Sequence, residues 1–216
     1  MLTLGILAMI GTVGTAVSDV ILMGHASSGS AFRQEPLENV RHVSPRRMFW
    51  GHTLGVLIIP LMGFGIWQMY LGLEPAGFWH ALPPVAIMGY TLVVGAASHA
   101  CFAHLGTALR LRDQQENNSP PDLDLMVTQF RRLLHPIFGM FWLGMAVSSF
   151  WFGFVVWTQE TMYPHWMAFV NPIALHVVMG VLANSLPAPI GGYVFAASGN
   201  FGMFTFFLVS TVVLTS

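Results

Sequence analysis

Long apolar stretches separated by short polar connections limit this chain more than any other feature, because a helix needs about 20 mostly apolar residues to cross a hydrocarbon core. Six stretches meet that length, at about 2–24, 48–73, 83–109, 133–157, 166–186 and 191–216. Only 8% of the residues are charged and 55% are apolar, whereas a soluble domain carries roughly 25% charged residues. A water-facing surface could not be covered with so little charge. The expected fold is all-α, a polytopic transmembrane helix bundle of six spans forming one domain over 1–216.

The few charges are placed with a bias. All eight cations are arginines, and they fall in two alternate connections: Arg33, Arg41, Arg46 and Arg47 in the first, Arg110, Arg112, Arg131 and Arg132 in the second. The positive-inside rule makes those connections cytoplasmic. Both termini are then expected on the non-cytoplasmic side, and the Pro187–Pro189 turn on the cytoplasmic one. A multi-pass protein of a bacterial inner membrane, surrounded by lipid, fits this pattern. The formal net charge of −1 supplies no basic surface, so nucleic acid is excluded as a partner. The single Cys101 excludes an internal disulfide and any zinc site built from cysteine pairs.

Punctuation within the stretches sets further expectations. The first begins at residue 2 without a positive flank or small-residue cleavage pattern, and reads as a retained helix. Pro83-Pro84 is expected to interrupt the third, leaving 77–82 along the outer interface. The segment Asp113–Asp124 reads as a flexible connection, and its Asn117-Asn118-Ser119 acceptor pattern lies on the wrong side for glycosylation. Asn171-Pro172 predicts a kink in the fifth stretch. Small residues at four-residue spacing predict close helix contacts: Gly51 with Gly55, Gly192 with Ala196, Ser198 with Gly202, and a Gly139–Ala146 stripe.

Chemistry is expected from nine histidines and one acid. Of nine carboxylates, only Asp19 falls within a span, and it shares a helical stripe with Thr12 and Thr15. Ionisable groups inside spans are costly and normally face the bundle interior. Counting from the nearest arginine, His52 and His104 lie at similar depth, His135 is shallower, and His99 lies about 16 Å from Arg110. His176 is expected near mid-membrane, facing His99. For His25, His42, His80 and His165, helix capping or an interfacial position is the better expectation.

Several readings use these residues. Asp19, His52, His99, His104 and His135 are the candidate ligands of a transition metal, iron, zinc or copper, although no HExxH-type motif is present. His52, His104 and His176 are candidate cofactor-binding residues for haem b, as the pairs His52 with His104 or His99 with His176. Asp19 and His99 are the candidate catalytic pair for acid–base chemistry on a lipid or isoprenoid-like substrate. A small transporter or a structural partner in a membrane complex is the remaining class. The runs IGTVGTAVSDVILMG, with Asp19, and GAASHACFAHLG, with His99 and His104, resemble a family of bacterial six-helix integral membrane proteins of unknown function. That resemblance implies six spans, with Asp19 and the third-span histidines as the residues of interest, and no particular activity.

Overall fold

A computed structural model describes residues 1–34, 39–115 and 121–216, and every regular element among them is helical. In chain order the helices are α1 (Leu2–Met23), α2 (Gly29–Gln34), α3 (Pro45–Ile58), α4 (Met62–Leu73), α5 (Phe78–Gln114), α6 (Pro121–Thr158), α7 (Pro172–Asn184) and α8 (Ile190–Thr215). A 3-10 turn at Ile59–Leu61, carrying Pro60, joins α3 to α4 as one bent crossing. Proline there removes a backbone donor, and the tighter turn absorbs the loss.

Five segments are long and apolar enough to span a bilayer: α1, the α3–α4 pair, α5, α6 and α8, with mean hydropathy between 1.5 and 1.9. The chain is thus a multi-pass membrane protein. The remaining expected span, the fifth in chain order, is different. Its residues form a 3-10 turn at His165–Ala168 followed by α7, which has only 13 residues, a length of about 20 Å. Asn171-Pro172 is the reason. Asn171 Oδ1 accepts from the Ala174 amide at 3.1 Å, and Pro172 occupies the first helical position. The pair starts a helix rather than kinking one. Asn171→Ala is expected to cost about 1 kcal/mol, read as earlier loss of helix signal on denaturation in detergent; an unchanged midpoint would show that α7 begins without this cap.

Two further expectations are corrected. Pro83 and Pro84 do not break the third stretch, since α5 runs through them for 37 residues. The bonds they forgo would go to the carbonyls of Trp79 and His80, in an exposed first turn where water replaces them. The flexible connection also shrinks. α5 continues to Gln114, and α6 begins at Pro121 with Asp122 and Asp124 in its first turn, where the helix dipole favours negative charge. The Asn117-Asn118-Ser119 pattern lies outside the described residues.

The outer surface is apolar, and the polar side chains of the spans are turned inward among apolar ones, where they find partners. On α1, Ile6, Ile10, Val13 and Val17 are exposed, whereas Gly5, Ala8, Thr12, Thr15 and Ser18 are buried. Buried hydroxyls on these helices bond to their own backbone or to a neighbour, for example Ser18 Oγ to the Gly51 carbonyl at 2.6 Å and Ser148 Oγ to the Pro84 carbonyl at 2.6 Å. α1 is central, packed against α3, α4 and α8, while α5 and α6 form a long antiparallel pair and α7 lies along α8. Gly5 of α1 abuts Thr211 of α8, which brings both chain ends to one end of the bundle. At the other end, the Gly29 amide donates to Leu186 and the Gly192 amide to Ser27. The Pro187–Pro189 turn is thereby tied to the connection that bears the first four arginines.

Two apolar clusters result. The larger, around Met69, Leu73, Phe152, Phe206 and Phe207, fills the half nearer the termini. The smaller joins Leu22, Val40, Phe102, Leu105, Leu109 and Leu134 at the arginine end. The space between α1, α5, α6, α7 and α8 is not filled.

Candidate functional site

That space is a cavity of about 450 Å³, within the usual range for small-molecule sites. Met88, Phe102, Phe138, Phe141, Trp142 and Met203 are among the apolar residues that line it. Met88 and Phe102 are fourteen residues apart on α5, so the cavity extends for about 20 Å along the helix axis. It is a slot elongated along α5.

Asp19 lies in the wall near the C-terminal end of α1, on the stripe that Thr12 and Thr15 predict. Its Oδ1 is 3.4 Å from His99 Nε2 of α5, and its Oδ2 accepts a 2.6 Å hydrogen bond from Asn200 Nδ2 of α8. Three helices thus meet at one carboxyl group. Side-chain exposure is 13% for Asp19 and 9% for His99, low enough that a lone charge would be costly and the neutral total of an acid–imidazole pair is favoured.

The other edge of the His99 ring points away from the cavity. A methyl group built on Gly55 of α3 would fall 2.6 Å from both His99 Nδ1 and Ser18 Oγ. Gly55 is therefore what admits the imidazole beside α1. Its motif partner Gly51 lies against the backbone of Leu22, so the expected close contact of this pair is realised, with α1 as the partner helix. Ala196 lines the cavity, Gly192 lies against His25 and Ser27, and Gly202 against the His176 backbone. Gly139 faces open space, so its stripe on α6 makes no close helix contact there.

The remaining histidines are dispersed. His176 of α7 lines the cavity from the far wall, edge-on to Trp142 with ring centroids 4.4 Å apart; Gly199 leaves room for it. His135 is exposed at the rim, its Nδ1 hydrogen-bonded to the Arg131 carbonyl at 2.6 Å. His52 stands outside the lining on α3, half-buried, with a buried Nδ1 that has no hydrogen-bond partner among the described residues. His104 is exposed and stacks on Phe130. It is five residues from His99, which turns it about 140° around the helix. His80 and His165 bond to the Ala76 and Val156 carbonyls, consistent with interfacial capping.

This arrangement bears on the ligand readings. Among the described residues, no group of three or more His, Cys, Asp or Glu side chains is placed to hold a metal ion. Asp19, His52, His99, His104 and His135 do not come together as one shell: His104 is turned outward onto Phe130, His135 is at the exposed rim, and His52, though close to His99 on the Gly55 face of α3, lies outside the cavity lining. A haem iron would need a free ring nitrogen on His99. Nε2 lies against Asp19, and Nδ1, without a hydrogen-bond partner among the described residues, is packed beside Gly55. The residues that sequence reasoning missed are Asn200, Arg33 and Trp142 in its cavity role. An amide is rare in an apolar span, and that rarity was the available signal for Asn200.

An all-helical membrane bundle with an acid–imidazole pair at the wall of an apolar slot is the class that fold and site define. The chain belongs to a family of unknown function (DUF6796), whose model matches residues 1–216. No curated protein and no solved structure shows significant similarity to it.

Proposed function

We propose that this chain is an acid–base membrane enzyme acting on a small lipid- or isoprenoid-like molecule held in the cavity, with Asp19 and His99 as the catalytic pair. The supporting observation is the 3.4 Å contact between Asp19 Oδ1 and His99 Nε2 at the edge of a slot otherwise lined mostly by apolar side chains. Asn200 donates to Oδ2 and keeps that oxygen an acceptor. The mobile proton of the pair is then shared between Oδ1 and Nε2, on two residues that line the cavity. Such a pair can take a proton from an acidic C–H and return it at another position without a cofactor. By the positive-inside rule the arginine end faces the cytoplasm, and an inner membrane is the proposed location.

The test is proton exchange. Purified protein is incubated in D2O with its co-purified lipids, which are then extracted for mass spectrometry. The expected result is a species that gains carbon-bound deuterium with the wild type and gains none with Asp19→Asn or His99→Gln. Ala196→Phe, which fills part of the slot, is expected to lose the species altogether. Labelling that persists in Asp19→Asn would overturn the catalytic assignment. A Soret band in the purified protein would instead restore a haem reading.

A further inference from the structure

The eight arginines are not used alike. Arg47 donates to the carbonyls of Val20, Ile21 and Gly24, and Arg110 to that of Val43. Arg41 and Arg112 lie 3.8 and 3.9 Å from Asp113. Arg33 has no hydrogen bond or ion pair among the described residues, is exposed, and lines the cavity. Its helix α2 is only six residues long, yet it is not a trailing loop. Phe32 is 3% exposed and packs on Phe195 of α8 at 5.7 Å, while Gly29 lies against the Ala183 carbonyl of α7. The short helix therefore presents a guanidinium at the arginine end of the slot. His135 stands at the same rim with Nδ1 engaged and Nε2 open.

The formally charged groups in the lining are Asp19 and Arg33. Asp19 is met by His99 and Asn200; Arg33 is not met by anything described, so the uncompensated charge is positive and sits at the mouth. We infer that the molecule taken by the cavity is an anionic amphiphile, an alkyl or isoprenoid chain ending in a carboxylate or phosphate, with its acidic group at Arg33 and its chain along the slot. This deepens the proposed function and rests on the reading that the cavity holds a lipid-like molecule.

Guanidinium is suited to such a headgroup because its planar donors match carboxylate and phosphate oxygens in pairs. The membrane setting sharpens the point. An apolar chain gains little by moving from lipid into an equally apolar slot, so discrimination between amphiphiles falls on the headgroup.

Trp142 in the cavity wall provides the readout, since bromine quenches indole on contact. The protein is reconstituted in phosphatidylcholine vesicles with dibrominated stearate, dibrominated stearyl alcohol or a dibrominated alkyl phosphate. The quenching that Trp142→Phe removes is taken as the cavity signal. The expected result is half-saturation by either acid at about tenfold lower mole fraction than by the alcohol, as one charge-assisted contact would give. Arg33→Gln is expected to bring the acids to the alcohol's value, and Arg33→Lys to keep part of the preference. Both variants should elute as the wild type does, since the side chain is exposed.

Equal quenching by acid and alcohol in the wild type overturns the headgroup assignment and leaves the lipid-like cavity intact. So does an acid preference that survives Arg33→Gln. Displacement of the brominated acids by inorganic phosphate at matching concentration identifies a free-anion site and also overturns it. Absence of any quenching that depends on Trp142 removes the lipid-like reading itself.

Discussion

Gly51→Val is expected to lower the stability of the bundle by about 3 kcal/mol, the upper part of the range for forcing extra volume into a packed interior. A Cβ at Gly51 would lie 2.8 Å from both the backbone nitrogen and the Cβ of Leu22. Backbone atoms inside a helix cannot move aside as a side-chain tip can, so α1 and α3 must separate. The same separation pulls Ser18 from the Gly51 carbonyl, breaking a 2.6 Å hydrogen bond in an apolar setting. Sodium dodecyl sulfate titration of the detergent-solubilised protein, followed by tryptophan fluorescence, measures the loss. The paired control is Gly139→Ala, where a Cβ meets nothing within 4 Å. There helix propensity alone acts, and a gain of about 0.5 kcal/mol is expected. Equal behaviour of the two variants would show that the α1–α3 contact is looser than described.

Arg47→Met is expected to cost about 2–3 kcal/mol, because the carbonyls of Ile21 and Gly24 lose their donor at once and that of Val20 keeps only the Gly24 amide. A helix leaves its last carbonyls without intrahelical partners. At the end of α1 the guanidinium of Arg47, from the first turn of α3, supplies hydrogen bonds of 3.0, 3.1 and 2.9 Å to Val20, Ile21 and Gly24. Methionine keeps most of the side chain's length and apolar stem and removes only the donors. Arg47→Lys, a point donor in place of a fork, is expected to recover only part of the loss. The same titration reads both. Asp19 is four residues before the helix end, so Arg47→Met is also expected to weaken the D2O exchange described for the Asp19–His99 pair.

Much of this was legible in the sequence because helical periodicity and charge placement are local properties. The Thr12, Thr15 and Asp19 stripe identified the inward face of α1, and Gly51 with Gly55 identified a close-contact face of α3. The arginine-bearing connections and the proline turn do gather at one end. Periodicity assigns a face and not the partner opposite. The bond from Asn200 to Asp19 joins residues 181 positions apart, and an amide in an apolar span marks itself without naming its partner. Hydropathy also cannot tell a 20-residue span from a 3-10 turn followed by a 13-residue helix, since both give one apolar window. Histidine number misled for a related reason. His99 and His104 are neighbours in sequence, but one enters the cavity and the other faces outward onto Phe130.

The brevity of α7 has a consequence for the surrounding lipid. Its outer face carries Val177, Val178, Val181 and Leu182, all well exposed, over a height about 10 Å less than an ordinary hydrocarbon layer. Acyl chains on that flank must shorten or tilt to match it, at a cost that grows with each ångström of mismatch. Thinning of the bilayer along that one flank is the expected accommodation.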